Sequence, residues 1–134
     1  MVDILRKEIE MSFDDGVKLI EKIMIEEGFS VLLTKDIDVV IKTKLGISEY
    51  PRYTTILGCG PELAKMALDV SKDVGLLFPC SFVVYEEEGK VIVAHVSIMK
   101  IAAEINLASA DALAPVIALT GEKVQAVWQK IFSN

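Results

Sequence analysis

The chain has 134 residues, 52% hydrophobic and 25% charged, which suits one domain with a buried core and excludes a disordered or low-complexity chain. Fourteen Lys and Arg against twenty Asp and Glu leave a formal charge of −6, which argues against nucleic-acid binding because that needs a concentrated basic surface. Two cysteines make no disulfide framework, and a single histidine leaves few ligands for a metal site.

Ile4, Arg6, Glu8 and Glu10 alternate with Leu5, Lys7, Ile9 and Met11, a period of two that Lys7 interrupts but that still predicts a strand. Ser12 stands three before Asp15 and opens a helix. Phe13, Val17, Ile20 and Met24 form its apolar stripe, and Gly28 ends it. Phe29 to Thr34 reads as a buried strand. Asp36 caps a shorter helix with Ile37, Ile41 and Leu45 on one face and Gly46 at its end. Ile47 to Arg52 is a polar connection, and Tyr53 to Leu57 a strand. Pro61 begins a helix that runs to about Ser71, followed by an apolar connection from Val74 to Pro79. Ser81 to Glu86 and Val91 to Ile98 form a hairpin turned at Glu88-Gly89. From Ser109 onward the pattern turns helical again, with Leu113, Val116, Ile117, Val124, Val127, Trp128 and Ile131 at three- and four-residue spacing; Pro115 suits a first turn and places the helix start near it, and Gly121 is a weak point. The order β-α-β-α-β-α-β-β-α predicts one compact α+β domain over residues 1–134, with helices packed on a mainly antiparallel sheet.

The N-terminal MVDILRKEIEM carries charges throughout and has no apolar signal region, and the most apolar stretch, Ile98 to Leu119, is interrupted by Lys100, Glu104 and Asp111. The expectation is a cytoplasmic protein with reduced thiols and no membrane contact. That same stretch, together with the high mean hydropathy, exceeds what one sheet face needs and predicts a homodimer.

Few residues carry candidate chemistry. Leu57-Gly58-Cys59-Gly60-Pro61-Glu62 joins a strand to a helix, where free N–H groups of the first turn hold an anion or lower a thiol pKa. It lacks the third glycine of a dinucleotide fingerprint and the Gly-Lys-Ser/Thr of a P-loop, and Glu62 opposes a phosphate. The plainer alternative is a tight turn with a buried cysteine. Phe78-Pro79-Cys80 precedes a strand, and its thiol reads equally as a core group. The helix after Pro61 carries the chain about 16 Å away, and the segment Val74 to Pro79 is long enough to return it. Cys59 and Cys80 are therefore expected at the same end of two antiparallel strands, beside the helix N-terminus and near enough for a disulfide to be considered. His95 shares a strand face with Val93 and reads as a packed histidine with one hydrogen bond. Cys59, Cys80 and His95 would give three zinc ligands, but no short ligand spacing supports that, and no metal is expected. Tyr50, Arg52 and Tyr53 beside Pro51 are a further candidate lining for a pocket.

Cys59-Gly60-Pro61 after an apolar strand, then Leu77-Phe78-Pro79-Cys80 followed by Phe82-Val83-Val84-Tyr85-Glu86, resembles the family called domain of unknown function 302. Glu27-Gly28-Phe29 and Lys44-Leu45-Gly46 fit the same pattern, and the resemblance spans roughly residues 4 to 132. It implies an α+β domain with helices on an antiparallel sheet, commonly a dimer, with characteristic positions at Cys59, Pro61, Pro79 and Cys80 and no established activity. Gly60 stands where the family often has asparagine, and Val96-Ser97-Ile98 where relatives often carry Asp-Pro.

Two functional classes follow. One is a small-ligand-binding or thiol-dependent module, with a small-molecule or anionic ligand at Cys59, Gly60, Pro61 and Cys80; no cofactor is identified and no catalytic set meets a geometric checklist. The other is a non-catalytic structural or interaction domain acting through its dimer surface. The first describes these residues better.

Overall fold

The alternation at the start of the chain forms strand β1 (Ile4–Glu8), and Ser12 then caps helix α1 (Phe13–Glu26), its hydroxyl accepting the Asp15 N–H at 3.2 Å. The structure is a computed structural model and describes residue 2 and residues 4–133. Phe13, Ile20, Ile23 and Met24 of α1 are buried.

Strand β2 (Ser30–Asp36) leads into α2 (Ile37–Leu45). Asp36 does not cap α2 with its side chain; its carboxylate accepts the Thr54 hydroxyl at 2.6 Å, while Asp38 accepts the Tyr53 N–H at 3.0 Å. Both carboxylates thus hold the start of β3 (Tyr53–Cys59), which runs into α3 (Pro61–Val70).

The expected apolar connection after α3 contains a 3-10 helix, Lys72–Leu77, and the Phe78–Pro79 bond before β4 is cis. Strands β4 (Cys80–Glu87) and β5 (Lys90–Val96) form the expected hairpin. Glu88 and Gly89 both have positive φ, 52° and 75°, as a two-residue type I′ turn requires.

Two helices close the chain, α4 (Ile98–Glu104) and α5 (Ala110–Ser133). The sequence pattern predicts only the second, and starts it near Pro115. The Ser109 hydroxyl accepts the Ala112 N–H at 3.1 Å and sets the helix start earlier, while exposed Pro115 is carried inside α5.

The sheet order is β1-β5-β4-β3-β2, and every neighbouring pair is antiparallel. This confirms the α+β class. Ile56, Phe82, Val84 and Val93 pack with Ile20, Ile23 and Met24 of α1 and Val124, Val127 and Ile131 of α5 in a first core. Lys130 of α5 pairs with Glu26 at 3.6 Å and Glu27 at 2.7 Å, which ties these two helices at the surface.

A second core unites Ala67 of α3, Val74, Met99 and Ala102 of α4, and Leu113 and Val116 of α5. Part of the apolar stretch from Ile98 to Leu119 is used inside the molecule: Met99, Leu113 and Val116 are buried, Ile98, Ile101, Leu107, Ile117 and Leu119 are half-buried, and Ile105 is 55% exposed.

Candidate functional site

The candidate residues meet where β3 ends and α3 begins. Gly58 lies opposite Cys80 in the antiparallel register, and Cys59 follows by one residue. The Cys80 thiol donates to the Gly58 carbonyl at 3.4 Å. A Cβ on Gly58 would collide with the end of the buried Met24 side chain, so the strand needs glycine there for α1 to pack closely. At Gly60 a Cβ would stand 3.2 Å from Leu63 Cδ1 and 3.5 Å from Phe29 Cε1. A side chain at this position would require Leu63 to give by a few tenths of an ångström. Gly60 gives α3 no side-chain cap.

Cys59, Gly60 and Cys80 line one cavity of about 40 Å³, together with Phe29, Leu63, Ala64, Phe78, Pro79, Ile98, Met99 and Thr120. Pro61 opens α3 but is not part of that wall. The cavity lies at the seam of the two cores: Phe29, Leu63 and Cys80 belong with the first, and Phe78, Ile98 and Met99 with the second. Helix α5 crosses the seam, with Leu113 and Val116 in the second core and Val124, Val127 and Ile131 in the first. Thr120 sits between them, 6% exposed, and its Oγ1 has no hydrogen-bond partner.

Sequence periodicity passes over Thr120 because it is polar. The stripe itself held the signal: from Val116 to Val124 is two turns, so the residue midway must face the same side, and a threonine there interrupts an otherwise apolar series.

Both cysteines are free thiols. The sequence leaves open whether the helix N-terminus or the Glu62 carboxylate governs the thiols; at Cys80 burial is the larger effect. Burial pushes its pKa up to about 11, and the neighbouring Cys59 charge pushes the same way. The thiol is therefore neutral near pH 7.

His95 is 5% exposed on the core face, opposite Phe82, on which its ring stacks with centroids 4.4 Å apart. Its Nδ1 lies 2.7 Å from the Ser81 carbonyl. A carbonyl only accepts, so Nδ1 carries the proton and Nε2 is left as a buried, unpartnered acceptor. Burial lowers the imidazole pKa, against a smaller opposite effect of the Ser81 bond. His95 does not join Cys59 and Cys80 in a three-ligand cluster among the described residues.

Tyr50, Arg52 and Tyr53 line a second, broader cleft of about 640 Å³ with Tyr85 and Glu86 to Gly89. Three of its side chains are already engaged. Tyr53 stacks on Tyr85 at 5.6 Å, and Arg52 bonds Asp14 at 2.7 Å while lying over the Phe13 ring at 4.0 Å.

The architecture defines a small α+β domain whose antiparallel sheet carries an apolar cavity at a strand-to-helix turn. The chain belongs to the family described as Domain of unknown function DUF302, whose model matches residues 5–131. Its fold is similar to the crystal structure of an uncharacterized conserved DUF302 protein from Bacillus stearothermophilus, with a TM-score of 0.84, 20% identity, and coverage of 96% of this chain and 97% of that one. No curated protein matches the sequence.

Proposed function

We propose that the chain is a binding domain for a small uncharged molecule, or for the uncharged end of a larger one, held at Cys59, Gly60 and Cys80 beside the turn that Pro61 opens. The observation that carries this reading is the cavity at the seam of the two cores. Its wall is mainly the carbon and sulfur of Phe29, Cys59, Leu63, Phe78, Cys80, Ile98 and Met99. Apolar walls with few polar groups are the usual make-up of small-molecule sites.

The lining favours a neutral ligand over an anion. No cationic side chain contributes to it, and Glu62 adds negative charge to the first turn of α3. An unpaired charge is costly to bury there. Thiol chemistry at Cys80 receives no support, since its proton is held at neutral pH. The Cys80 thiol then acts as wall.

Methyl-resolved NMR under xenon pressure tests the site. Xenon enters dry apolar cavities, so the Ile98 and Met99 methyl signals should shift before those of exposed residues. Unmoved cavity methyls would overturn the reading. Native mass spectrometry of freshly purified protein would report any retained molecule directly.

The interaction-domain reading has its own observation. Leu32, Leu33, Val39, Leu45 and Ile47 are all more than 40% exposed and fall on or next to edge strand β2 and helix α2. We place a homodimer contact there, in the part of the chain between Leu32 and Ile47, and not on the Ile98–Leu119 segment. A monomeric mass in light scattering would refute it. The cytoplasm remains the proposed location, supported by the two free thiols. No helix among the described residues is long and apolar enough to cross a membrane, and the net charge of −6 speaks against nucleic acid as a partner.

A further inference from the structure

We infer that the outer face of the sheet, the one turned away from α1 and α5, packs on the same face of a second copy of this chain, each strand lying over its own counterpart and running opposite to it. This rests on the homodimer reading above and gives that contact its surface and its register.

An antiparallel sheet with one face in water carries polar residues on that face. Ile56, Phe82, Val84 and Val93 point into the first core, so their neighbours in sequence point the other way. On the three central strands these are Tyr53 and Thr55, Val83 and Tyr85, and Ile92 and Ala94. None of them belongs to either core, and all but the small Ala94 are half-buried. The edge strands put exposed Arg6, Glu8 and Lys35 on the same face. An apolar centre inside a charged rim is the make-up of a protein interface.

The strand register sorts this face into rows. One runs Arg6, Ala94, Val83, Thr55, Lys35, and the next runs Glu8, Ile92, Tyr85, Tyr53. A two-fold axis between the rows, perpendicular to the strands, lays each row over the other. Ala94, Val83 and Thr55 then meet the partner's Ile92, Tyr85 and Tyr53, and Arg6 meets the partner's Glu8. Small opposes large, as interdigitating sheets about 10 Å apart require, and opposite charges face each other. Laying either row on itself would bring like charges together. The same axis sets β2 over the partner's β2, so that Leu33, 49% exposed on this face beside Leu57, joins it to the Leu32–Ile47 contact.

Five strands about 4.8 Å apart and about six residues long make a plane of roughly 24 by 20 Å, on the order of 1,000 Å² for the pair. Stable interfaces bury upwards of about 1,200 Å², and the adjoining Leu32–Ile47 segments supply the rest.

Light scattering at micromolar concentration, with circular dichroism to check folding, tests the arrangement. Wild type should be a dimer. Val83→Lys changes a side chain outside both cores and should raise the dimer dissociation constant at least about tenfold, because the new charge is buried without a partner. Arg6→Glu should weaken the dimer about twofold to fivefold, and adding Glu8→Arg should restore it. Single and double charge variants that behave alike overturn the register. A dimer untouched by Val83→Lys overturns the face, and its loss in Leu45→Lys would then keep the homodimer reading on the Leu32–Ile47 segment alone. A wild-type monomer overturns that reading itself.

Discussion

Acidification should destabilise this domain through one imidazole. His95 is the chain's single histidine, so any histidine titration belongs to it. In the fold it is buried against Phe82 and its pKa lies below the ordinary 6.5. In the unfolded chain it titrates normally. As pH falls through 6.5 the unfolded state takes up a proton that the native state refuses, and stability drops. Between 6.5 and the lowered native value the slope rises towards a limit of one proton, at most about 1.4 kcal/mol per pH unit.

The window is free of the perturbed carboxylates. Asp14 and Asp69 are held below the usual carboxylate range by hydrogen bonds from Arg52 and Lys65, so their contribution is lost only in stronger acid. Urea unfolding at about pH 7.5 and about pH 5.5 measures the effect, and His95→Gln should flatten the difference. Wild type also reports directly, because the Cε1 proton of one imidazole can be followed by NMR in the intact fold. A native pKa at or above 6.5, or a slope that survives His95→Gln, would refute the reasoning.

Four further outcomes are expected. Gly121→Ala should stabilise by about 0.5–1 kcal/mol in urea melts, because Gly121 sits in α5 with open space where a Cβ would go and helix propensity is the surviving term. Gly58→Ala should destabilise by about 1–3 kcal/mol, since fully buried Met24 must move to admit the methyl. Iodoacetamide labelling of Cys80 in Cys59→Ser should be far slower than that of a free thiol near pH 8 and rise steeply towards pH 11; rapid neutral labelling would restore a thiolate role. Thr120→Val should raise stability by about 1 kcal/mol, and a loss would mean that the hydroxyl is satisfied in the native state.

The parts of this fold that were legible in the sequence are those set by local chemistry. Ser12 with Asp15 marks the start of α1, Glu88-Gly89 marks a tight hairpin, and the distance that α3 covers forces β3 and β4 to run antiparallel. That geometry puts Cys59 and Cys80 at one end of the sheet, but the register that sets Cys80 opposite Gly58 was not legible. Helix α4 was not legible because seven residues make barely two turns, and Ile98, Met99 and Ile101 read equally well as a strand end. The start of α5 was hidden by Pro115, whose usual place near a helix start outweighed the cap at Ser109.

The cavity was beyond local reading for a different reason. Its walls come from segments far apart in the chain, and only the meeting of two cores places Phe29 near Met99. Even the thiol electrostatics needed the assembled molecule. A helix N-terminus predicts a depressed cysteine pKa, but burial outweighs it at Cys80.

The two-core arrangement also explains why a polar residue is tolerated at the midpoint of α5. Leu113, Val116, Thr120, Val124, Val127 and Ile131 form one buried stripe at three- and four-residue steps. An apolar residue at position 120 would continue the stripe and close the seam by ordinary packing. Threonine keeps nearly the same shape and adds a hydroxyl that no part of the protein engages. Such a group destabilises the fold by roughly 1–3 kcal/mol. Thr120→Val should therefore raise the urea midpoint, and a lowered midpoint would show that the hydroxyl finds a partner in the native state.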